Sequence, residues 1–276
     1  MKGKDNMKAT VLIDNKSDGC LISEWGLAIY IEHNGKRILL DSGSTGDFII
    51  NAAVLKTDLQ NAEICVLSHA HYDHADGLDS FMSVNEKATL YIREGTRENC
   101  YNRHEGRYKY DGIRRGTLRK YANRIEYVSG NAEISKGVFL IPHSTDDLSM
   151  IGLKAELYRR KGLRFFPDDF AHEQSLVIDT GKGLCIFSSC SHAGADNIIK
   201  EVTAAFPGKH IALFMGGMHL FRSSEDEVRA FAKRVKETGI EHLCTGHCTG
   251  DEAFAILREE LGDRVVQFYS GYTLEV

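Results

Sequence analysis

The pattern of apolar and polar residues in the first half of the chain predicts hairpin strands followed by alternating helices and strands. Two β-rich runs meet at Asn34-Gly35, a pair that tolerates positive φ and is typical of a tight hairpin turn. Farther on, apolar residues recur at helical spacing in one segment, and short continuous apolar runs indicate strands. The runs are, in order, ATVLID (9–14), LAIYIEHNGKRILLDSG (27–43), DFIINAAVLKTDL (47–59), AEICVLS (62–68) and ATLYIRE (88–94).

The second half repeats this order of elements. A hairpin with a Gly181-Lys182-Gly183 turn comes first, and three helical patterns then alternate with three apolar strands. The hairpin strands are QSLVIDT (174–180) and LCIFSSC (184–190). The later runs are ADNIIKEVTAAF (195–206), HIALFMGG (210–217), SEDEVRAFAKRVKET (224–238), EHLCTG (241–246), EAFAILREEL (252–261) and RVVQFYS (264–270).

Between the halves, at about 95–165, lies a segment rich in Tyr, Arg, Lys and Gly. It is interpreted as an irregular basic and aromatic insertion with two short strands, RIEYVS (124–129) and VFLIP (138–142). Each half begins with hairpins and then alternates, so two mixed sheets packed face to face, each covered by helices, are predicted. We expect an α/β fold, a four-layer αββα sandwich, in a single domain over residues 1–276.

Composition narrows the function classes. The 276 residues are 42% hydrophobic and 26% charged with a net charge of −5, which disfavours a general binder of nucleic acid. The sequence contains no apolar run of the length of a signal peptide or a membrane span. The seven cysteines have no regular spacing, as expected for reduced thiols. A cytoplasmic protein without a membrane partner is predicted.

The richest chemistry follows the strand AEICVLS, in the pattern H-x-H-x-D-H formed by His69, His71, Asp73 and His74. Residues two apart on an extended segment project to the same side, so His69 and His71 can bind one ion together. Asp73 and His74 come after the chain turns and suit a second ion nearby. Imidazole and carboxylate ligands favour zinc, with iron or manganese as alternatives, over calcium or magnesium.

This motif, with ILLDSG on the preceding strand, resembles the metallo-β-lactamase superfamily. The resemblance spans nearly the whole chain and implies the αββα sandwich with a mono- or dinuclear metal site at one edge. Three further motifs are similar to a branch commonly named after 7,8-dihydropterin-6-methyl-4-(β-D-ribofuranosyl)aminobenzene-5′-phosphate synthase. They are SSCSHAG (188–194), MGGMHL (215–220) and TGHCTG (245–250).

The resemblance implies two divalent transition-metal ions, with zinc first. The first pocket would consist of His69, His71 and a later histidine, for which His192 is preferred. The second would consist of Asp73, His74 and His247. Asp41 would support the metal loop from behind.

Two positions leave the first pocket open. Cys190 stands roughly where superfamily hydrolases have a bridging aspartate, and it is interpreted as buried bulk, with a thiolate ligand as the alternative. His172 precedes a strand, where many members place their third histidine, and it ranks below His192. Cys244 and Cys248 have no second cysteine pair, so a structural zinc site is disfavoured.

The predicted function is metal-dependent hydrolysis by an activated water, in which Asp73 orients the hydroxide and His219 donates to substrate or leaving group. The alternative for His219 is a structural role as the cap of the following helix. The alternatives are a transferase of the pterin-synthase type and a non-catalytic metal or ligand sensor. The expected substrate is a small anionic metabolite, phosphorylated or pterin-like; a homo-oligomer is left open. The insertion could supply the groups that bind this substrate, although a solvated basic insertion that packs on the domain or on a partner subunit is the preferred interpretation. The candidate groups are Arg103, Arg107, Arg114, Arg115, Arg119 and Lys120, with Tyr101, Tyr108, Tyr110 and Tyr121.

Overall fold

The computed structural model of the chain describes residues 6–276. Residues 1–5, which belong to the predicted domain and to the N-terminal segment considered for a signal peptide, lie outside the described residues. Within it there are eighteen strands. They are β1 (Met7–Ile13), β2 (Ala28–His33), β3 (Lys36–Leu40), β4 (Ile64–Val66), β5 (Thr89–Arg93), β6 (Cys100–His104), β7 (Arg107–Tyr110), β8 (Ile125–Val128), β9 (Ala132–Ser135), β10 (Val138–Pro142), β11 (Leu157–Lys161), β12 (Arg164–Pro167), β13 (Gln174–Asp179), β14 (Leu184–Phe187), β15 (Ile211–Gly216), β16 (His242–Thr245), β17 (Val265–Gln267) and β18 (Thr273–Glu275).

The helices connect the parallel strands and cover the sheets. They are α1 (Asp47–Leu55), α2 (Tyr72–Ala75), α3 (Leu78–Val84), α4 (Thr117–Lys120), α5 (Leu148–Lys154), α6 (Ala195–Ala205), α7 (Glu225–Glu237) and α8 (Asp251–Leu261). Short 3-10 turns occur at Leu59–Asn61, Ala122–Arg124, His247–Thr249 and Gly262–Arg264. None of the helices within 6–276 is long and apolar enough to cross a membrane.

Two seven-stranded sheets form the body of the molecule, and their pairing patterns match. The first has the order β18-β1-β2-β3-β4-β5-β8 and the second β17-β16-β15-β14-β13-β10-β9. In each, three antiparallel pairings give way to three parallel ones. The hairpin at Asn34-Gly35 forms as predicted, with φ of 50° and 76° at the two residues. Strand β18, which the sequence did not predict, pairs with β1 at the edge.

Strand periodicity assigns side chains to three apolar layers. In β2, Ile29 and Ile31 pack between the sheets, where they join Leu176 and Phe187 of the second sheet. The alternate residue Tyr30 faces the helices on the outside of the first sheet. A third cluster lies between the second sheet and α6, α7 and α8. The predicted four-layer αββα sandwich is therefore confirmed.

The insertion contains a regular sheet, so the prediction of an irregular segment was wrong. Strands β6, β7, β11 and β12 form a third, antiparallel sheet in the order β12-β11-β6-β7. Of the two strands that were predicted, β8 extends the first large sheet and β10 belongs to the second. The sequence analysis did not predict these strands because their residues are mostly charged, polar or aromatic, and neither face of the sheet is continuously aliphatic.

Candidate metal centre

The predicted metal-binding residues converge where the carboxyl ends of strands from both large sheets meet. The segments that follow β1, β3 and β4 come from the first sheet, and those after β14, β15 and β16 from the second. Parallel strands end at the same edge of a sheet, which is where loop-borne ligands gather. The site is therefore shared between the two halves of the chain.

The motif H-x-H-x-D-H has the predicted local geometry. The chain stays extended from β4 to His71, which precedes α2 with φ −79° and ψ 150°. His69 and His71 lie side by side with ring centroids 4.7 Å apart. Asp73 and His74 stand on α2, after the turn. The segment is held from two sides, since Gln174 donates to the carbonyl of Ser68 and Ile113 of the insertion donates to that of Ala70.

The first pocket brings together His69, His71 and His192. Their ligand-type nitrogens all lie within 4.8 Å of one another. The Nε2 atoms of His69 and His192 are buried and have no hydrogen-bond partner among the described residues. Buried polar atoms are nearly always satisfied, so two unpartnered nitrogens facing one point indicate a site for a cation.

The second pocket brings together Asp73, His74 and His247. The Nε2 atoms of the two histidines are 3.1 Å apart, and Asp73 Oδ2 lies 3.7 Å from that of His74 and 3.5 Å from that of His247. Two nitrogens bound to one tetrahedral zinc at about 2.0–2.1 Å would be separated by about 3.3 Å. The observed spacing is thus close to that of a coordinated pair.

Hydrogen bonds at Nδ1 orient four of these histidines. In each case Nδ1 donates to a side-chain oxygen, so Nε2 is the nitrogen that faces the pockets and is available to a metal. The acceptors are Ser68 Oγ for His69 (2.8 Å), Asp41 Oδ2 for His74 (2.8 Å), Glu173 Oε1 for His192 (2.9 Å) and Asn15 Oδ1 for His247 (3.0 Å). Burial would lower the pKa of His247, but Cys248 and Asp73 raise it to about 9, so a metal bound between His74 and His247 would have to displace a proton from this pair.

Asp41 links two of these contacts. Its carboxylate accepts from the backbone N–H and the hydroxyl of Ser68, both at 2.7 Å, and also from His74. Asp41 is fully buried and has φ 60°, a left-handed conformation that costs free energy in a residue with a side chain. Sequence analysis anticipated its supporting position. It missed Asn15, Ser68 and Glu173, whose roles depend on contacts between distant segments.

The electrostatics suit metal binding. Burial, reinforced by the neighbouring histidines, lowers the pKa of His69 and His71 well below the usual value, which keeps both rings neutral. Burial would raise the pKa of Asp73, but His74 and His247 hold it well below its usual range. Neutral imidazole and ionised carboxylate are the forms that bind divalent ions. The donor set fits zinc, iron or manganese.

His172 lies close to the first pocket but is turned away from it. Its Nδ1 accepts from the backbone N–H of Ala70 at 3.1 Å, so its proton is on Nε2, which donates to Asp168 Oδ2 at 3.1 Å. Cys100 Sγ lies 3.6 Å from the same Nε2. Both nitrogens are in use, and the geometry favours His192 over His172 as third ligand, an assignment that stays a prediction.

A larger, open pocket of about 990 Å³ lies above the first and second metal pockets. His71, Asp73 and His192 line its inner end, and Trp25 and Phe221 form an aromatic wall with ring centroids 5.6 Å apart. His219 also lines the pocket, at 4.6 Å between ring centroids from His192 and with φ 51°. The helix after His219 is capped by Ser224, so His219 is not its cap.

Some basic residues of the insertion line the pocket, whereas others are paired with residues elsewhere. Arg103 lines the pocket, together with Lys109 and Arg222, which the sequence did not single out. Arg114 and Lys120 pair with Asp79, and Arg115 donates to Tyr101 while lying over Tyr110. Among the described residues, none of the four predicted tyrosines lines the pocket. The aromatic lining comes instead from Trp25, Tyr72, Phe221 and Phe231, of which Trp25 and Phe221 form the wall described above and have no spacing signal in the sequence.

The chain is similar to known proteins in sequence. A model of the metallo-β-lactamase superfamily matches residues 26–160. The chain is 27% identical to 7,8-dihydropterin-6-methyl-4-(β-D-ribofuranosyl)aminobenzene-5′-phosphate synthase of Methanocaldococcus jannaschii, over 97% of this chain and 96% of that protein. An uncharacterized protein of the same organism is 25% identical, over 90% and 93% of the two chains.

Solved structures are similar over the full length. A crystal structure of a metal-dependent hydrolase of the β-lactamase superfamily superposes with a TM-score of 0.82 and 28% identity, covering 98% of this chain and 99% of the other. Zinc-bound PqqB of Methylobacterium extorquens has a TM-score of 0.59 at 12% identity, covering 98% and 100%, and shares the fold alone. The resemblance inferred from the motifs is confirmed.

Proposed function

We propose that the chain, whose residues 26–160 match the metallo-β-lactamase superfamily, is a metal-dependent hydrolase of a small anionic metabolite, phosphorylated or pterin-like. The observation that carries the proposal is the convergence of histidine Nε2 atoms, two of them buried without a partner among the described residues, beneath an open pocket. His69, His71 and His192 would hold one ion, and Asp73, His74 and His247 the other. Zinc is the first choice, with iron or manganese as alternatives.

Bound metal would lower the pKa of a coordinated water and polarise a substrate oxygen, which makes hydrolysis feasible near neutral pH. The protein's own groups do the remaining work. Asp73 is ionised and lines the pocket, so it can accept a hydrogen bond from water and orient it toward substrate. His219 lines the same pocket and can donate to the substrate or the leaving group.

The pocket walls suit a flat anion. Trp25 and Phe221 offer aromatic faces, and Arg103, Lys109 and Arg222 surround them with positive charge. Lys154 and Arg234 also line the pocket, but they are paired with Glu227 and Asp196. Arg222 lies over the ring of Phe221, with its guanidinium 5.1 Å from the centroid, which places charge and aromatic surface together.

A transferase is the second candidate, and the full-length similarity to the dihydropterin synthase favours it. On this alternative the same walls would hold two substrates, and water would be excluded from the reaction. A sensor without turnover would bind the anion and the metal but transform nothing.

The test compares hydrolysis with binding. Metal-loaded protein is assayed against generic phosphomonoesters, phosphodiesters and lactones, and against a pterin by equilibrium binding. We expect hydrolysis that a chelator abolishes and added zinc restores, and that His219→Gln reduces while His242→Gln, an exposed control, does not. Saturable pterin binding without any hydrolysis would contradict the proposal and favour the transferase or the sensor.

A further inference from the structure

Two thiols stand at the inner end of the pocket, beside the predicted metal ligands. Cys190 follows β14 and Cys248 follows β16, and their sulfurs are 3.4 Å apart. Both are almost completely buried, yet both line the pocket. A Cβ at Gly217 would come within 2.5 Å of Cys248 Sγ, so the glycine of the neighbouring loop leaves the space that this sulfur fills.

The sulfur of Cys190 lies between the two metal pockets. It is 3.2 Å from His74 Nε2 of the second pocket. It also belongs to separate groups of ligand atoms, all mutually within 4.8 Å, with His69 and His74, with His192 and His219, and with His247 and Cys248. One sulfur is thus near nitrogens of both pockets, where a ligand shared by two ions would be.

The spacing and the chemistry match coordination. For a tetrahedral zinc with Zn–S of about 2.3 Å and Zn–N of about 2.0–2.1 Å, the sulfur and nitrogen ligands would be about 3.5 Å apart. A thiolate is a strong ligand for zinc and for softer ions, and it gives up its proton to solvent when it binds. The interpretation of Cys190 as a buried space-filling side chain does not account for a sulfur placed among ring nitrogens of both metal pockets.

We propose that Cys190 coordinates metal as a thiolate between the two pockets, with Cys248 as the neighbouring thiol that positions it. The inference rests on the proposed function only in requiring that metal occupies the pockets. It makes the site selective for zinc, cobalt or softer ions over manganese, since thiolate disfavours the harder ion.

Cobalt(II) substitution tests this without any turnover assay. Bound cobalt gives visible absorption with any ligand set, whereas a near-ultraviolet charge-transfer band requires a thiolate. Metal-free protein is titrated with cobalt as wild type, Cys190→Ser, Cys248→Ser and Cys244→Ser. Cys244 is four residues before Cys248 but lies in the apolar layer between the sheets. It is therefore the control for replacing a buried cysteine outside the metal pockets.

We expect the wild type and Cys244→Ser to show the near-ultraviolet band, Cys190→Ser to lose it, and Cys248→Ser to keep it at a shifted energy. A band that survives in Cys190→Ser, or that depends on Cys248 alone, would overturn the assignment. The wild-type spectrum decides whether any thiolate binds the metal, and the comparison of Cys190→Ser with Cys248→Ser decides which one; Cys190→Ala serves as a second variant if Cys190→Ser fails to fold.

The outcomes also separate this inference from the proposed function. Saturable visible absorption without the near-ultraviolet band would sink the thiolate ligand and leave the metal site standing. No cobalt uptake at all would contradict both. The band together with no hydrolysis would support the thiolate while contradicting the hydrolase.

Discussion

The two halves of the candidate site are built in different ways. The segment 69–74 after β4 supplies four ligand candidates within six positions, on one extended stretch and one helical turn. The loops after β14, β15 and β16 supply isolated residues, namely Cys190, His192, His219, His247 and Cys248. The first half is a sequence motif, whereas the second exists only because three parallel strands end at one edge.

The difference has a thermodynamic side. A local motif needs few long-range contacts to approach its binding geometry, whereas ligands on separate loops must be fixed by the rest of the fold. Several supporting bonds of the second half span large sequence distances, such as the bond from His247 to Asn15. Three residues at these turns, Ser191, His219 and His247, have φ near 50°, which only the surrounding structure can maintain.

The largest loss of bound metal should come from removing a predicted first-pocket ligand, either one of the segment 69–74 or one on a distant loop. His69→Ala removes a residue of the motif, and His192→Ala a residue of a distant loop. If both complete one pocket, each variant should fall from about two bound ions per chain to about one, measured by elemental analysis of protein prepared without chelator. His242→Ala, on an exposed histidine, is the control. Retention of both ions by His192→Ala would show that the distant loop is not part of the pocket.

Asp41→Asn should have the next largest effect, because Asp41 fixes both Ser68 and His74 on the motif side. Loss of such a supporting carboxylate typically lowers metal affinity by about 10- to 100-fold. The measurement is competition with a chelator of known affinity. Asp226→Asn, at an exposed position of α7, should leave affinity unchanged. Equal affinities for Asp41→Asn and wild type would refute the supporting role.

His172 should affect stability and not metal content. His172→Ala leaves the buried N–H of Ala70 without its acceptor, which costs about 1–3 kcal/mol in the free energy of unfolding. His172→Asn offers a replacement acceptor and should recover part of this. Denaturant unfolding and elemental analysis are done on the same samples. Loss of an ion in His172→Asn would instead identify His172 as a ligand.

The smallest effect is expected in acid. Burial would raise the pKa of Asp168, but its bond to His172 holds that pKa well below its usual range. Asp168 therefore contributes stability above its unfolded pKa of about 4, and this contribution is lost as the pH falls toward the folded value. Asp168→Asn should flatten the acid limb of the stability curve, measured by denaturant unfolding of metal-free protein. An unchanged slope below about pH 4 would argue against the pair.

Much of the fold could be predicted from the sequence. Period-two runs and the Asn34-Gly35 turn identified most strands of the two large sheets, and helical spacing identified α1, α6, α7 and α8. The third sheet was missed because its strands carry Arg, Lys, Tyr and Phe in place of a continuous aliphatic face, so the usual apolar period does not mark them. Strand β18 was missed because it is short and pairs with residues more than two hundred positions away.

The sequence by itself determined the ligand types and the geometry of the segment 69–74, because neighbours on one short stretch are placed by local backbone conformation. Only the tertiary structure decided which histidines turn Nε2 toward the pockets, since each tautomer depends on an acceptor from a distant segment. The tertiary structure also places the Cys190 sulfur near these nitrogens and brings Trp25 and Phe221 together as the aromatic wall of the pocket. Such choices depend on packing between strands that are far apart in the chain, and no local pattern records them.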